Sequence, residues 1–281
     1  MISLKELIRG TEKRLRAARL HYGHGTDNPH DEAAFLVLRG LQLPFDANLD
    51  QEVDAARIAA LVERRIRERL PTAYLLKEAW LDGLAFHVDR RVIIPRSHIA
   101  FLFSTLNAKP RRVLDLCTGS GCLAILAARA FPDARVDASD TSAAALALAA
   151  RNVARHRMQK RVRLLRSDLF AKIDGQYDLI VSNPPYVAAS AMRKLPPEYR
   201  HEPSLALAGG RDGLELVARV LAGARERLTS SGLLVCEVGE NRKALERRFP
   251  AIEFAWLRPE VFVLAKTALA GQSAPRRVRG D

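Results

Sequence analysis

The chain has 281 residues, 48% of them apolar and 27% charged, enough for an ordinary domain plus a smaller one with a proper core. Forty-five Lys and Arg against 32 Asp and Glu leave a net charge of +13, which suits polyanionic surroundings without requiring them. No membrane span is expected, since no apolar run of about 18 residues occurs; no secretory leader is expected from the polar start at Ser3, Lys5 and Glu6, and no metal site from three scattered cysteines (Cys117, Cys122, Cys236) with no histidine cluster. The expected compartment is the cytoplasm.

Helical spacing of Leu4, Leu7, Ile8 and Leu15 predicts a first helix, with Ser3 and Glu6 forming a capping box. A second helix is predicted over 29–39, with Pro29 in its first turn and Gly40 as its stop, and a third over 50–69, ended by Pro71. The period then changes to a β-hairpin with its turn at Asp82-Gly83. From Arg111 strands over 113–116, 135–139, 162–166, 177–182 and 233–238 alternate with helices over 122–130, 142–156, 213–228 and 241–248, the pattern of a parallel sheet covered on both faces. Two last strands, 252–256 and 260–264, are joined too closely for a crossover and read as an antiparallel close at the sheet edge.

The first strand of this α/β region runs into Asp115-Leu116-Cys117-Thr118-Gly119-Ser120-Gly121 and then a helix. Glycines there let a ligand approach the backbone, at the strand ends where open α/β sheets bind ligands. Ala124 stands where the third glycine of a dinucleotide fingerprint would fall and is tolerated there, so spacing alone leaves a dinucleotide open. Asp115 discriminates, since a carboxylate repels a pyrophosphate and attracts an ammonium. S-adenosylmethionine has the ammonium and no phosphate, and it is the expected cofactor. Asp115, Thr118, Gly119 and Gly121 are its candidate binding residues. Asp140, about twenty residues past Gly119, is placed for ribose hydroxyls, with an N-cap of the next helix as the plainer reading.

The fourth strand closes in Asn183-Pro184-Pro185-Tyr186. A planar NH2 group is a poor nucleophile because its lone pair is delocalised. The Asn183 side-chain oxygen and the Pro184 carbonyl can accept its two hydrogens, aiming the nitrogen at a methyl donor and stabilising the charge that grows on it. Tyr186 can stack on the flat group. Asn183, Pro184 and Tyr186 are the catalytic candidates; with Pro185 they are the substrate-binding ones, and Asn183 also borders the cofactor. No general base is needed, since a protonated N-methyl amide gives its proton to water.

With both motifs in hand, nearly the whole chain resembles the HemK/Prm family of protein glutamine methyltransferases. The resemblance implies a class I S-adenosylmethionine-dependent methyltransferase fold, α/β and Rossmann-like, with a mostly parallel sheet whose last strand is antiparallel and a small N-terminal helical domain that contacts the protein substrate. Expected boundaries are 1–75 for that domain, 76–98 for a hairpin linker, 99–268 for the methyltransferase domain and 269–281 for a disordered tail. The resemblance also assigns the cofactor's adenine to Asp168. Segments 68–75, 79–80, 95–99, 115–122 and 195–203 are similar to the branch that modifies a glutamine of the third large-subunit ribosomal protein. The release-factor branch usually has Gly where Cys117 stands. The connection 257–260 is shorter than the glycine-rich loop that precedes the last strand in the ribosomal branch.

Three other readings stand beside this one: a release-factor glutamine methyltransferase, an adenine-N6 nucleic-acid methyltransferase, which poses the same chemical problem, and an assembly factor that keeps the fold without catalysis. Arg151, Arg155, Arg157, Lys160, Arg161, Arg163 and Arg166, with no acid among them, form a candidate ribosomal RNA contact or a solvated helix face. The sequence says nothing of oligomeric state.

Overall fold

The computed structural model describes residues 1–106 and 108–269, and the chain divides into two compact units. The first comprises Met1–Arg96 and Leu195–Pro203. Its first helix, α1 (Leu4–Ala17), starts at the predicted capping box: the Glu6 N–H donates to Ser3 Oγ at 3.2 Å, and the Ser3 N–H donates to the Glu6 carboxylate at 3.2 Å. The second, α2 (Pro29–Gly40), is capped by Asn28, whose side chain accepts the Asp31 N–H at 2.9 Å. The third, α3 (Ala56–Glu68), begins later than its apolar spacing suggests. Residues just before it form β2 (Glu52–Val53), paired antiparallel with β1 (Ile2–Ser3), and Asp54 accepts the Ala56 N–H at 2.9 Å. A short α4 (Thr72–Leu76) follows. Leu4, Leu7, Ile8, Leu15, Leu36, Val37, Ile58 and Val62 meet in one buried cluster between the helices.

The hairpin β3 (Glu78–Leu81) and β4 (Leu84–His87) turns at Asp82 and Gly83, both with positive φ, as the Asp-Gly pair requires. It belongs to the first unit and is not a separate linker, and the division falls at Arg96 instead of residue 75. Residues 195–203, which the sequence reading placed in the methyltransferase domain, also belong here, for an electrostatic reason. Glu202 is fully buried, and it accepts the Ile94 N–H at 3.0 Å and two guanidinium hydrogen bonds from Arg96 at 2.6 and 2.8 Å. Glu198, equally buried, accepts the His21 N–H at 2.9 Å and pairs with Arg69 at 2.8 Å. Burial works to raise the Glu198 carboxyl, but the His21 N–H, Arg69 and Arg65 outweigh it and hold the group below the usual carboxylate range.

The second unit is built on a seven-stranded sheet in the order β10-β11-β9-β8-β5-β6-β7. The strands are β5 (Arg112–Leu116), β6 (Arg135–Asp140), β7 (Val162–Arg166), β8 (Tyr177–Ser182), β9 (Leu228–Glu237), β10 (Ala255–Arg258) and β11 (Val261–Ala265). The helices are α5 (Cys122–Ala130), α6 (Ala143–Arg155), a one-turn α7 (Ala189–Met192), α8 (Glu215–Arg227) and α9 (Arg242–Arg248). Only β11 runs against its neighbours, lying antiparallel to β9 on one side and β10 on the other. The short connection 257–260 is accommodated by an irregularity in register between Trp256 and Arg258.

Strand β5 has β6 on one side and β8 on the other, which makes its carboxyl end the point where strand order reverses and where such sheets bind ligands. Leu269, assigned from sequence to the tail, is fully buried in the core of this unit; the rest of the expected tail, 270–281, lies outside the described residues. No helix among the described residues is long and apolar enough to cross a membrane, and none of their His, Cys, Asp and Glu side chains cluster as metal ligands.

Candidate active site

Successive strands deliver the predicted polar residues to one edge of the sheet: Asp115 in β5, Asp140 closing β6, Asp168 just past β7 and Asn183 just past β8. The loop after β5 turns through three left-handed residues, Cys117 at φ 59°, Gly119 at φ 54° and Gly121 at φ 80°. The two glycines do different jobs. A Cβ on Gly119 would meet nothing within 4 Å, so this residue keeps the ligand side of the loop open. A Cβ on Gly121 would lie 3.2 Å from the Ala149 Cβ, so Gly121 lets α6 approach the loop. At Cys117 a β-carbon is forced into a conformation that costs on the order of 1 kcal/mol or more.

Asp115 is fully buried behind the loop. Its Oδ2 accepts the Thr118 hydroxyl at 2.5 Å and the Ala124 N–H at 3.1 Å, tying strand, loop and helix together. Among the described residues Oδ2 is thus spent on the loop, and these partners give Asp115 a positioning role beside the ammonium contact expected from sequence. Its Oδ1 has no hydrogen-bond partner among the described residues, and burial pushes the carboxyl up to about 7.

Asp140, half-buried, is held at both oxygens, accepting the Gly119 N–H at 3.0 Å and the Ser142 N–H at 2.9 Å. The N-cap of α6 is Ser142, which accepts the Ala145 N–H at 3.1 Å, so Asp140 is not that cap. Asp168 is exposed and pairs with Arg219 of α8 at 2.7 Å.

At the end of β8, the Ser182 hydroxyl donates to the Leu116 carbonyl at 3.1 Å and fixes the two strand ends side by side. Neither the Asn183 side chain nor the Pro184 carbonyl has a hydrogen-bond partner among the described residues, and Asn183 is half-buried. Pro184 and Pro185 are buried. Three glycines from two segments, Gly209 and Gly213 in one and Gly239 in the other, close around Tyr186. A Cβ on Gly239 would sit 2.6 Å from its ring, one on Gly213 2.5 Å from its carbonyl oxygen, and one on Gly209 2.7 Å from its Cα. The Asn241 side chain donates to the same carbonyl at 2.8 Å.

Behind the ring lies a residue that sequence reading passed over. Glu237, 2% exposed at the end of β9, accepts the Ser97 hydroxyl at 2.6 Å, the His98 N–H at 3.0 Å and the Tyr186 hydroxyl at 3.4 Å. Burial raises its carboxyl above the usual range. The signal that could have found it is positional: it is the strand-end carboxylate of β9, in line with Asp115 and Asp140. Burial also raises all three thiols, Cys122 to about 12, so none is poised as a nucleophile.

The open loop at the switch point, the doubly anchored Asp140 and the unpaired amide of Asn183 fit a nucleoside bearing a transferable methyl, and with this sheet they define a class I methyltransferase that uses S-adenosylmethionine. Residues 98–195 match the methyltransferase small domain. The chain is 52% identical over 270 residues to the ribosomal protein uL3 glutamine methyltransferase of Bordetella pertussis, covering 91% of this chain and 90% of that one. It is 43% identical to the protein of the same name in Neisseria meningitidis serogroup B, over 97% of this chain and 96% of that one. The hMettl16 catalytic domain, solved with the MAT2A 3′UTR hairpin 6, shares the fold at a TM-score of 0.52 and 17% identity, covering 65% of this chain and 75% of that one. The chain belongs to the family of ribosomal protein uL3 glutamine methyltransferases.

Asp115→Asn keeps an oxygen for Thr118 and Ala124 and should leave cofactor affinity in calorimetry within a few-fold of wild type. Asp115→Ala strands both buried donors and should weaken it about tenfold or more. With the folded carboxyl near 7 and the unfolded one near about 3.9, the folded chain holds a proton the unfolded chain has lost, so stability falls as pH rises between those values. Asp115→Asn should abolish that slope. A large affinity loss in Asp115→Asn would point to the direct ammonium contact.

Proposed function

We propose that this chain methylates the side-chain amide nitrogen of a glutamine in ribosomal protein uL3, in the cytoplasm where ribosomes assemble, with ribosomal RNA nearby. The observation that carries the reading is the pair of unpartnered acceptors at the end of β8, the Asn183 side chain and the Pro184 carbonyl. Bound in front of the 117–121 loop, S-adenosylmethionine supplies an electrophilic methyl on its sulfonium. The loop backbone at Gly119 would let it approach, Asp140 would accept its ribose hydroxyls, and the free oxygen of Asp168 would accept from its adenine. Thr118 and Asp115 hold the loop in shape from behind.

The glutamine enters with its two amide hydrogens accepted by Asn183 and Pro184, which fixes the nitrogen in place and aims its lobe along the transfer line. Pro185 stiffens the turn, and Tyr186, wedged by Gly209, Gly213 and Gly239, presents its ring to the amide plane. As the nitrogen gains the methyl it becomes cationic, and the two acceptors stabilise that charge without having to reorganise. The extra proton leaves to water.

The test is methyl transfer from labelled S-adenosylmethionine with uL3, a release factor and adenine-containing DNA offered in parallel. Label on uL3 alone is expected. Label on the release factor would keep the chemistry and change the target, and label on DNA alone would replace the glutamine by adenine.

A further inference from the structure

The seven basic residues read from sequence as one stretch do not form one surface. Arg151 and Arg155 lie on α6, Arg157 in the turn after it, and Arg166 at the far end of β7 beside Thr141. Lys160, Arg161 and Arg163 join Arg112 and Arg135 instead, around a cleft of about 480 Å³ at the amino ends of β5, β6 and β7. Arg112 and Arg135 are register partners on adjacent strands, and the Arg161 carbonyl accepts the Val136 N–H at 2.8 Å, so three arginines open three neighbouring strands. At the usual strand spacing this row spans about 10 Å. It lies at the opposite end of the parallel strands from the site, about 10 Å from Asp115, three residues along β5 from Arg112, and about 16 Å from Asp140, five residues along β6 from Arg135.

Arg135 and Arg161 are held by neutral groups that leave their charge uncompensated, and Arg112 is in addition packed on an aromatic ring. Arg161 donates to the carbonyls of Ala128 at 2.5 Å and Pro132 at 3.0 Å, Arg135 to that of Lys160 at 2.9 Å, and the Arg112 guanidinium lies 4.7 Å from the Tyr177 ring centre. The lining contains one carboxylate, Asp137, and it is shared by Arg163 through two hydrogen bonds of 2.8 Å, the Tyr177 hydroxyl at 2.7 Å and Arg112 at 3.9 Å. Five cations thus face one spent carboxylate, and several are already fixed in place, so binding an anion costs them little further ordering.

We infer that this cleft binds the phosphate backbone of RNA. The row is longer than one phosphate and suits a repeating anion. The ring at the site, Tyr177, is 1% exposed and covered by Arg112, so no base can stack on it and the contact is with the backbone and independent of sequence. The inference rests on the ribosomal reading above only for which RNA is met. It places RNA at one end of the sheet and methyl transfer at the other, so that both can be engaged at once.

The test uses the full chain, a short fluorescent single-stranded RNA of mixed sequence, and anisotropy across a salt series. The double variant Arg135→Glu, Lys160→Glu should bind about tenfold more weakly or worse, with its log–log salt slope reduced by about 1.4, the share of two phosphate contacts. Lys243→Glu with Arg247→Glu, the same charge change on exposed positions of α9, should stay near wild type. Equal losses in the two variants, an unaffected Arg135/Lys160 variant, or displacement of the RNA by polyglutamate as readily as by polyphosphate would each overturn the inference. Methylation of free uL3, measured on the same proteins, should be unchanged in both variants; its absence from the wild type would remove the ribosomal reading and leave the RNA result standing.

Discussion

Asn183→Ala lowers the rate of methyl transfer to uL3 by about a hundredfold to a thousandfold, the usual consequence of removing one preorganised group aimed at developing charge. The side chain makes no hydrogen bond among the described residues, so its loss breaks nothing in the fold and thermal stability should hardly change. The effect belongs in the turnover number more than in the KM for the protein substrate, because the acceptor gains most when the nitrogen turns cationic. Single-turnover rates with saturating cofactor make the measurement. A loss of only a few-fold would mean that the Pro184 carbonyl and the shape of the pocket suffice, and would take Asn183 out of the transfer step.

Arg65→Met costs the first unit about 3–5 kcal/mol, because it leaves the buried Glu32 carboxylate without its cation and Glu198 with Arg69 alone. Arg65 is 1% exposed; it hydrogen-bonds Glu32, donates to the His21 carbonyl at 3.1 Å and stands 3.8 Å from Glu198. Thr72 donates to the same Glu32 at 2.7 Å, but one hydroxyl cannot replace a guanidinium. The chain has two tryptophans, so in a Trp256→Phe background Trp80 alone reports on this unit during urea unfolding. A midpoint shift worth less than about 1 kcal/mol would show that water or protonation takes over the role, as happens at exposed ion pairs.

Much of this structure was legible beforehand where one local rule governs one element. The capping box at Ser3 and Glu6, the turn at Asp82-Gly83 and the helix at Cys122–Ala130 follow from neighbouring residues alone, and all appear where their spacing puts them. What escaped depended on partners far along the chain. Helix α3 gives up its first turn to β2, whose partner is at Ile2 and Ser3. Glu237 owes its place to Ser97 and Tyr186, and Asp115 turned out to hold the loop because Thr118 and Ala124 reach its inner oxygen. The strand-end motifs do come together at one edge of the sheet, but the contacts behind them were not legible from spacing. Cys117 shows the same limit, since its positive φ, at a position glycine fills in the release-factor branch, is visible only in three dimensions.

The excursion of residues 195–203 into the first unit has a consequence for how the chain is made. His21 and Glu198 bond across 177 positions, and the partners of Arg69 and Arg96 lie in the same late segment. During synthesis the helices of the first unit leave the ribosome early, yet their arginines wait while strands β5 to β8 are translated. The first unit therefore emerges ahead of the second yet is completed only after β8 has been made, and a fragment cut at Arg96 lacks Glu198, Tyr199 and Glu202, which belong to this unit.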